Sequence, residues 1–206
     1  MRVVVLGATG QLGREVVHAL VSRGHSVVAT VRRPPNPAFL IPVQICQVDA
    51  RNRADVRAAL HAHDVVVNAI GAGSLRGNDI ESSTTAVAVE AAQDVGVDRY
   101  IAMSAGMVAL DWPLFKYVLK PLIFRNILAE HLRVEEIVRA SMLPWTIVRP
   151  PKLTNGRPSG YVASLEPQTR AFSAARADVA AFIGDELDAR AHLRQAVFVA
   201  SRHNRR

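Results

Sequence analysis

Three glycines at intervals of three, Gly7, Gly10 and Gly13, punctuate the stretch Gly7-Ala8-Thr9-Gly10-Gln11-Leu12-Gly13 directly after the apolar run Val3 to Leu6. A turn that cradles a pyrophosphate needs glycine where the chain bends, where backbone approaches the ligand, and where the next helix packs closely on the strand. The spacing is G-x-x-G-x-x-G rather than G-x-G-x-x-G, so the strand before and the amphipathic helix after carry much of the inference. Free N–H groups at the start of a helix following Gly10 would face the diphosphate, where the helix dipole favours negative charge. Leu12 continues the turn into the helix, and Thr9 and Gln11 offer polar contacts. A plain strand-to-helix turn is the alternative reading of the same spacing.

In a dinucleotide site the end of the second strand selects the cofactor, because an acidic residue there holds the ribose 2′-hydroxyl of NAD. No Asp or Glu occurs between Glu15 and Asp49, and the corresponding positions read Thr30-Val31-Arg32-Arg33. Guanidinium groups match a 2′-phosphate with charge-assisted, bidentate bonds. Arg32 and Arg33 therefore point to NADP(H) as the preferred cofactor, with NAD(H) as the alternative. Read blandly, both are solvent-facing loop residues.

Such a turn needs a sheet to hold it. Two-sided burial of parallel strands predicts continuous apolar runs, and these occur at Val3 to Leu6, Val27 to Val31, Val43 to Val48, Val65 to Ile70, Tyr100 to Met103 and Thr146 to Val148. Helical patterns alternate with them: Leu12 to Arg23, Ala54 to His61, Ser83 to Asp94 and Ile127 to Ala140, the last with Leu128, Leu132, Ile137 and Val138 as its apolar stripe. Gly24, Gly96 and Pro144 punctuate the alternation. The pattern predicts an α/β, Rossmann-type doubly wound parallel sheet in a single domain spanning 1–206. After Pro150 the spacing predicts a loop, a short strand at Tyr161 to Leu165 and a helix near Asp178 to Ala189, forming a small cap beside the sheet's carboxyl edge. The tail from Ser201 to Arg206 is expected to fray.

Composition narrows the class. The chain has 206 residues, 50% hydrophobic, enough for one sizeable core. The single thiol, Cys46, excludes an intrachain disulfide and is expected to be buried and unreactive. No run resembles a signal core or a membrane span, so a cytoplasmic protein without a membrane partner is expected. The net charge of +7 is spread from Arg2 to Arg206, and aromatics are only 5%, which argues against nucleic acid as a partner and for phosphate-bearing ligands. No metal-ligand spacing and no G-x-S-x-G elbow is present.

The turn GATGQLG, Val48-Asp49-Ala50 after the third strand, Asn68-Ala69-Ile70-Gly71 after the fourth and Met103-Ser104-Ala105 after the fifth together resemble an atypical short-chain dehydrogenase/reductase over nearly the whole chain. The segments LAEHLRVEEIVRAS, WTIVRPP and RADVA, with Arg76-Gly77-Asn78-Asp79 and Ser83-Thr84-Thr85, are similar to the small NmrA-like, NAD(P)H-binding group that includes flavin and biliverdin reductases. The resemblance implies that Asp49 and Ala50 flank the adenine, that Ala69, Ile70 and Gly71 pass beneath its ribose, that Ser104 lies near the nicotinamide, and that Pro150 and Pro151 line that end. Strand-end and turn chemistry is the competing account, in which Asp49 and Asn68 cap helices or turns.

Typical members of that superfamily carry Tyr and Lys at i and i+4, so that the ammonium lowers the phenol's pKa. Here Tyr117 is followed by Lys120 at a spacing of three, with Pro121 next, which disfavours the dyad. Ser104, by polarising an acceptor, and His131, relaying a proton with Glu135 one turn later, are the other catalytic candidates. Direct hydride transfer from a nicotinamide to a stacked acceptor needs no dyad. The segment Trp112 to Phe124 is read as a cover for a planar substrate, a packed helix or a dimer contact. The expected activity is an NADPH-dependent reduction of a small planar acceptor (flavin, quinone or biliverdin-like) by a monomer or homodimer. The alternatives are an NmrA-like redox-sensing regulator that binds NADP(H) without turnover and a non-redox isomerase or cyclase.

Overall fold

A computed structural model of the chain describes residues 1–33, 43–62, 64–71, 79–109, 125–167 and 172–202. In chain order these form β1 (Arg2–Leu6), α1 (Gln11–Ser22), β2 (Ser26–Val31), β3 (Gln44–Gln47), α2 (Arg53–Ala59), β4 (Val65–Asn68), α3 (Ile80–Val95), β5 (Arg99–Met103) and a 3-10 turn (Gly106–Ala109). There follow α4 (Arg125–Ala140), β6 (Trp145–Arg149), β7 (Lys152–Thr154), β8 (Tyr161–Ser164), β9 (Ser173–Ala175), α5 (Arg176–Ala189) and β10 (Gln195–Ser201). The main sheet runs β3-β2-β1-β4-β5-β6-β10-β8, parallel except for the antiparallel edge strand β8. This is the Rossmann-type α/β fold anticipated from the alternating runs.

The unbroken valine runs are explained by burial on both faces. Val3, Val5, Val65 and Val67 point into a core closed by α1 and α5, while Val4, Leu6 and Val66 point into a second core closed by α2, α3 and α4. Successive strand side chains alternate in direction, so a strand with a helix layer on each face is apolar on both, and a polar side chain there, such as Asn68, Arg99 or Thr146, is buried and needs a partner. Asn52 caps α2 by accepting from Ala54 and Asp55 N–H at 2.9 and 3.4 Å. Gly96 ends α3 in the left-handed conformation, at φ 76°.

Four expectations change. α3 begins at Ile80, earlier than Ser83, because Glu130 on α4 accepts from the Ser82 N–H and hydroxyl at 2.8 and 3.0 Å and so ties the first turn down. On α4, Leu132 is 42% exposed, whereas Val134 and Val138 face the core. Cys46 is half-buried on the edge strand β3, not buried, since no further strand covers that side. Of the tail, Ser201 is ordered: it closes β10, its hydroxyl donating to Asp178 Oδ2 at 2.6 Å and accepting from Ala175 N–H at 2.7 Å, while residues 203–206 lie outside the described residues. Beyond the expected loop, strand and helix, the segment after Pro150 adds the parallel pair β7 and β9 and, in β10, a further parallel strand of the main sheet. Its sequence signal was the apolar run Ala196 to Ala200, most of it fully buried. Among the described residues no helix is long and apolar enough to cross a membrane, and no cluster of His, Cys, Asp and Glu is arranged to hold a metal.

Candidate functional site

Between β1 and β4 the chain leaves the sheet in opposite directions, and a crevice opens there at the carboxyl ends of the strands. It encloses about 450 Å³. One end is the glycine turn, represented by Gly10, Gln11 and Leu12; Ala69, Ile70 and Gly71 follow β4, Met103, Ser104 and Ala105 follow β5, and Pro150 and Pro151 follow β6.

The glycines are required by close approach. Gly7 has φ 74°, and a Cβ on it would stand 2.9 Å from the backbone of Ala69 and Ile70. A Cβ on Gly13 would lie 2.1 Å from the Gly7 carbonyl oxygen, so the first turn of α1 rests directly on the end of β1. Gly10 donates its N–H to the Gly7 carbonyl at 3.0 Å and starts α1 without a side-chain cap, and the first turn contains no acidic residue. The helix therefore presents uncapped N–H groups and the positive end of its dipole to the crevice, which is the chemistry a diphosphate needs. The Thr9 carbonyl accepts from Arg14 Nε at 3.0 Å. These features fit a dinucleotide: a cradle that any larger residue would fill, and an anion-binding helix end.

Arg32 and Arg33 are both exposed at the carboxyl end of β2, and among the described residues neither makes an ion pair. Asp49 serves the local turn: its Oδ1 accepts from Arg51 N–H at 3.0 Å, and its own N–H donates to Asp55 at 3.2 Å. Ala50 beside it is half-buried. Asn68 is structural too, donating to Thr85 Oγ1 and the Tyr100 hydroxyl at 3.2 and 3.1 Å and accepting from Ile70 N–H at 3.2 Å. That last bond ends β4 and sets the turn Ala69 to Gly71.

The Ser104 hydroxyl, in the lining of the crevice, donates to Glu135 Oε1 at 2.8 Å. Glu135 also accepts Nε and Nη2 of Arg149, at 2.8 and 2.6 Å, and Nη2 of Arg139 at 3.3 Å. Burial pushes the Glu135 carboxyl up, but the Arg149 fork, the Ser104 hydroxyl and the Arg139 charge outweigh it and hold it below its ordinary value. The unfolded chain then takes up this proton at higher pH than the folded one. The stability contributed is fully present above the ordinary carboxyl range and drains away as pH falls through the lowered folded value. Glu135→Gln should accordingly flatten the acid limb of a urea-unfolding series from the ordinary carboxyl range downward; acid limbs that run parallel in variant and parent would contradict this.

Glu135 is thus occupied by Ser104 and Arg149, and the pairing with His131 expected from one-turn spacing does not form. His131 lies against Glu81 instead, Nδ1 to Oε2 3.2 Å, a contact without hydrogen-bond geometry. Both residues line the crevice, as do Leu153 and Arg176, whose Nη1 donates to Asn155 Oδ1 at 2.7 Å. The sequence reading assigned no site role to Glu81, Leu153 or Arg176. Arg176 opens the RADVA string, but nothing local distinguishes Glu81 or Leu153. Tyr117 and Lys120, the whole of Trp112 to Phe124, and Arg76 to Asn78 lie outside the described residues.

Comparison with known proteins agrees with this geometry. A family model described as NAD(P)H-binding matches residues 7–190. The chain is 31% identical over 196 residues to the uncharacterized sugar epimerase YhfK of Bacillus subtilis, covering 91% of this chain and 88% of that one. Among solved structures it is similar to ChuY, an anaerobillin reductase from Escherichia coli O157:H7, with TM-score 0.81 and 21% identity across the full length of both chains. It is also similar to a short-chain dehydrogenase/reductase of Veillonella parvula in complex with NADP, with TM-score 0.78 and 21% identity over 97% of this chain and 94% of that one.

Proposed function

This chain belongs to the NAD(P)H-binding family, and from that premise we propose that it is an NADPH-dependent oxidoreductase acting on a small planar acceptor. The observation that carries the proposal is the continuity of the crevice. The glycine cradle and uncapped α1 form one end, and the same cavity continues between the apolar side chains of Met103, Pro150, Pro151 and Leu153, a slot suited to a flat ring. The names of similar proteins support it: one is an anaerobillin reductase and another holds NADP.

Bound NADPH would supply the hydride, the hard part of the chemistry. The chain's own residues bind and orient. The N-terminus of α1 with Gly10, Gln11 and Leu12 holds the diphosphate. Arg32 and Arg33, free of ion pairs among the described residues, take the 2′-phosphate, and the backbone of Ala69 to Gly71 supports the ribose. The apolar walls beside Ser104 flank the reacting face. No proton-donating tyrosine is needed where the reduced acceptor takes its proton from solvent, and His131 beside Glu81 is the titratable group placed to pass one.

Calorimetric titration with NADPH and NADH tests the cofactor half. NADPH should bind more tightly, and the double variant Arg32→Ala/Arg33→Ala should lose about 10- to 100-fold in NADPH affinity while leaving NADH nearly unchanged: a charge-assisted contact is worth about 1.5–3 kcal/mol, and solvent screening at these exposed positions leaves the pair worth about one such contact. Equal loss for both cofactors would remove the two arginines from the 2′-phosphate site. Nicotinamide absorbance in the presence of flavins, quinones and linear bilins tests the second half. Binding without oxidation of NADPH across that panel would replace the reductase reading with that of a redox-sensing regulator.

A further inference from the structure

We propose that Ser104 meets its ligand as a hydrogen-bond acceptor and recognises an N–H group, with Glu135 as the positioning residue that sets this polarity. The inference rests on the reading of the crevice as a dinucleotide and acceptor site.

A serine hydroxyl has one proton and two lone pairs, and the environment decides which of them faces a ligand. Ser104 lines the crevice, and its Oγ lies 2.8 Å from Glu135 Oε1. That oxygen also receives Arg149 Nε at 2.8 Å, while Oε2 receives Arg149 Nη2 at 2.6 Å and Arg139 Nη2 at 3.3 Å. A carboxyl held by two guanidinium groups on both oxygens is ionised and can only accept. The proton in the Ser104–Glu135 bond therefore belongs to Ser104. Turning that proton into the crevice would break a charge-assisted bond, about twice as strong as a neutral one, inside a buried network.

Among the described residues no group donates to Ser104 Oγ, so its lone pairs are what it offers to the cavity. This is the reverse of the polarity needed to activate a carbonyl acceptor. Ser104 cannot act as the donor to a substrate oxygen while Glu135 stays ionised, and the complementary ligand group is an amide or ring N–H. Two sources bring one to this end of the crevice: the carboxamide of the nicotinamide, and a ring N–H of the acceptor such as N3–H of a flavin.

Binding measurements separate them. The first arm compares NADPH with its reduced 3-acetylpyridine analogue, in which a methyl replaces the carboxamide NH2, on the parent and on Ser104→Ala, read by calorimetry without acceptor. The second compares FMN with N3-methyl-FMN on the NADP⁺-saturated protein, read by flavin fluorescence. A lost neutral hydrogen bond corresponds to about a 3- to 12-fold change in affinity. Discrimination of that size in the parent, absent in Ser104→Ala, supports the proposal: in the first arm the cofactor is the source, in the second the acceptor. Glu135→Gln, whose amide can donate to Oγ and release the serine proton, should lose the same discrimination, a change that a purely structural role would not produce. Equal affinities within both pairs in the parent, or discrimination that survives Ser104→Ala, overturn the proposal while leaving the cofactor reading standing. Failure of both NADPH and its analogue to bind overturns both.

Discussion

Gly13→Ala is expected to lower NADPH affinity by about 100-fold, the size of effect that a displacement of about 1 Å at a positioned ligand can produce. The new Cβ would stand 2.1 Å from the Gly7 carbonyl oxygen and 2.9 Å from Ala8 Cα. Neither neighbour is the end of a flexible side chain, so α1 must move off β1, and the N–H groups that meet the diphosphate move with it. Overpacking at such a contact also costs about 1–3 kcal/mol of stability. Gly24→Ala is the matched control: Gly24 has φ 79° with nothing within 4 Å of the added Cβ, and it lies at the far end of α1. It should lose stability through backbone strain and keep full affinity. Calorimetry and thermal melts on the two variants decide the matter. Equal NADPH affinity in Gly13→Ala and Gly24→Ala would show that the glycine turn does not hold the cofactor.

The largest expected effect on stability lies away from the crevice. At the amino ends of β5 and β6, Arg99 and Glu186 are 1% and 2% exposed and form a buried ion pair. Arg99 Nη2 also donates to Thr146 Oγ1 at 2.7 Å, and Glu186 accepts from His192 N–H at 2.9 Å. Burial pulls the Arg99 guanidinium below its ordinary value, the Glu186 charge opposing it, and two of its nitrogens, Nε and Nη1, have no hydrogen-bond partner among the described residues. Glu186→Leu should therefore cost about 3–5 kcal/mol, because it leaves a buried cation uncompensated. That is a large part of the 5–15 kcal/mol typical of a domain. Arg99→Met/Glu186→Leu should recover most of the loss, since two apolar side chains of similar volume need no partner. Urea unfolding of the parent and both variants measures it. A single variant as stable as the parent would contradict the account of the pair.

Local patterning determined a good deal of this protein unaided. Valine runs fix strands buried on both faces, because a two-sided core disfavours polar residues at positions of either parity, and the six anticipated strands occur with ends shifted by a few residues at most. Much of the glycine turn was legible for a similar reason: Gly13 against Gly7 and Gly10 against Gly7 are contacts within six residues, and the positive φ of Gly7 is local, whereas its close approach to Ala69 and Ile70 comes from the assembled sheet. The carboxyl edge of β2 was legible as a basic end from Arg32 and Arg33 alone. Ala69 to Gly71, Ser104 and Pro150 were brought to the crevice by family resemblance, and the sheet order then places all of them on one wall.

What the tertiary structure decided is the pairing of charges and the polarity of the site. Glu135 was read with His131 because helical spacing makes i and i+4 neighbours. Burial selected otherwise, since the carboxylate turned inward must be met by Arg149, 14 residues away, and Ser104, 31 residues away. The Arg99–Glu186 pair spans 87 residues, and Glu81 reaches His131 from a different helix. β10 carried an apolar run but no neighbouring pattern to mark its place, and its position beside β6 depends on α5 folding back across the sheet onto α1. Backbone conformation and burial preference are properties of a few adjacent residues and can be read from them. The partner of a buried charge is set by whichever group the completed fold brings within hydrogen-bond reach, and only the assembled sheet determines that.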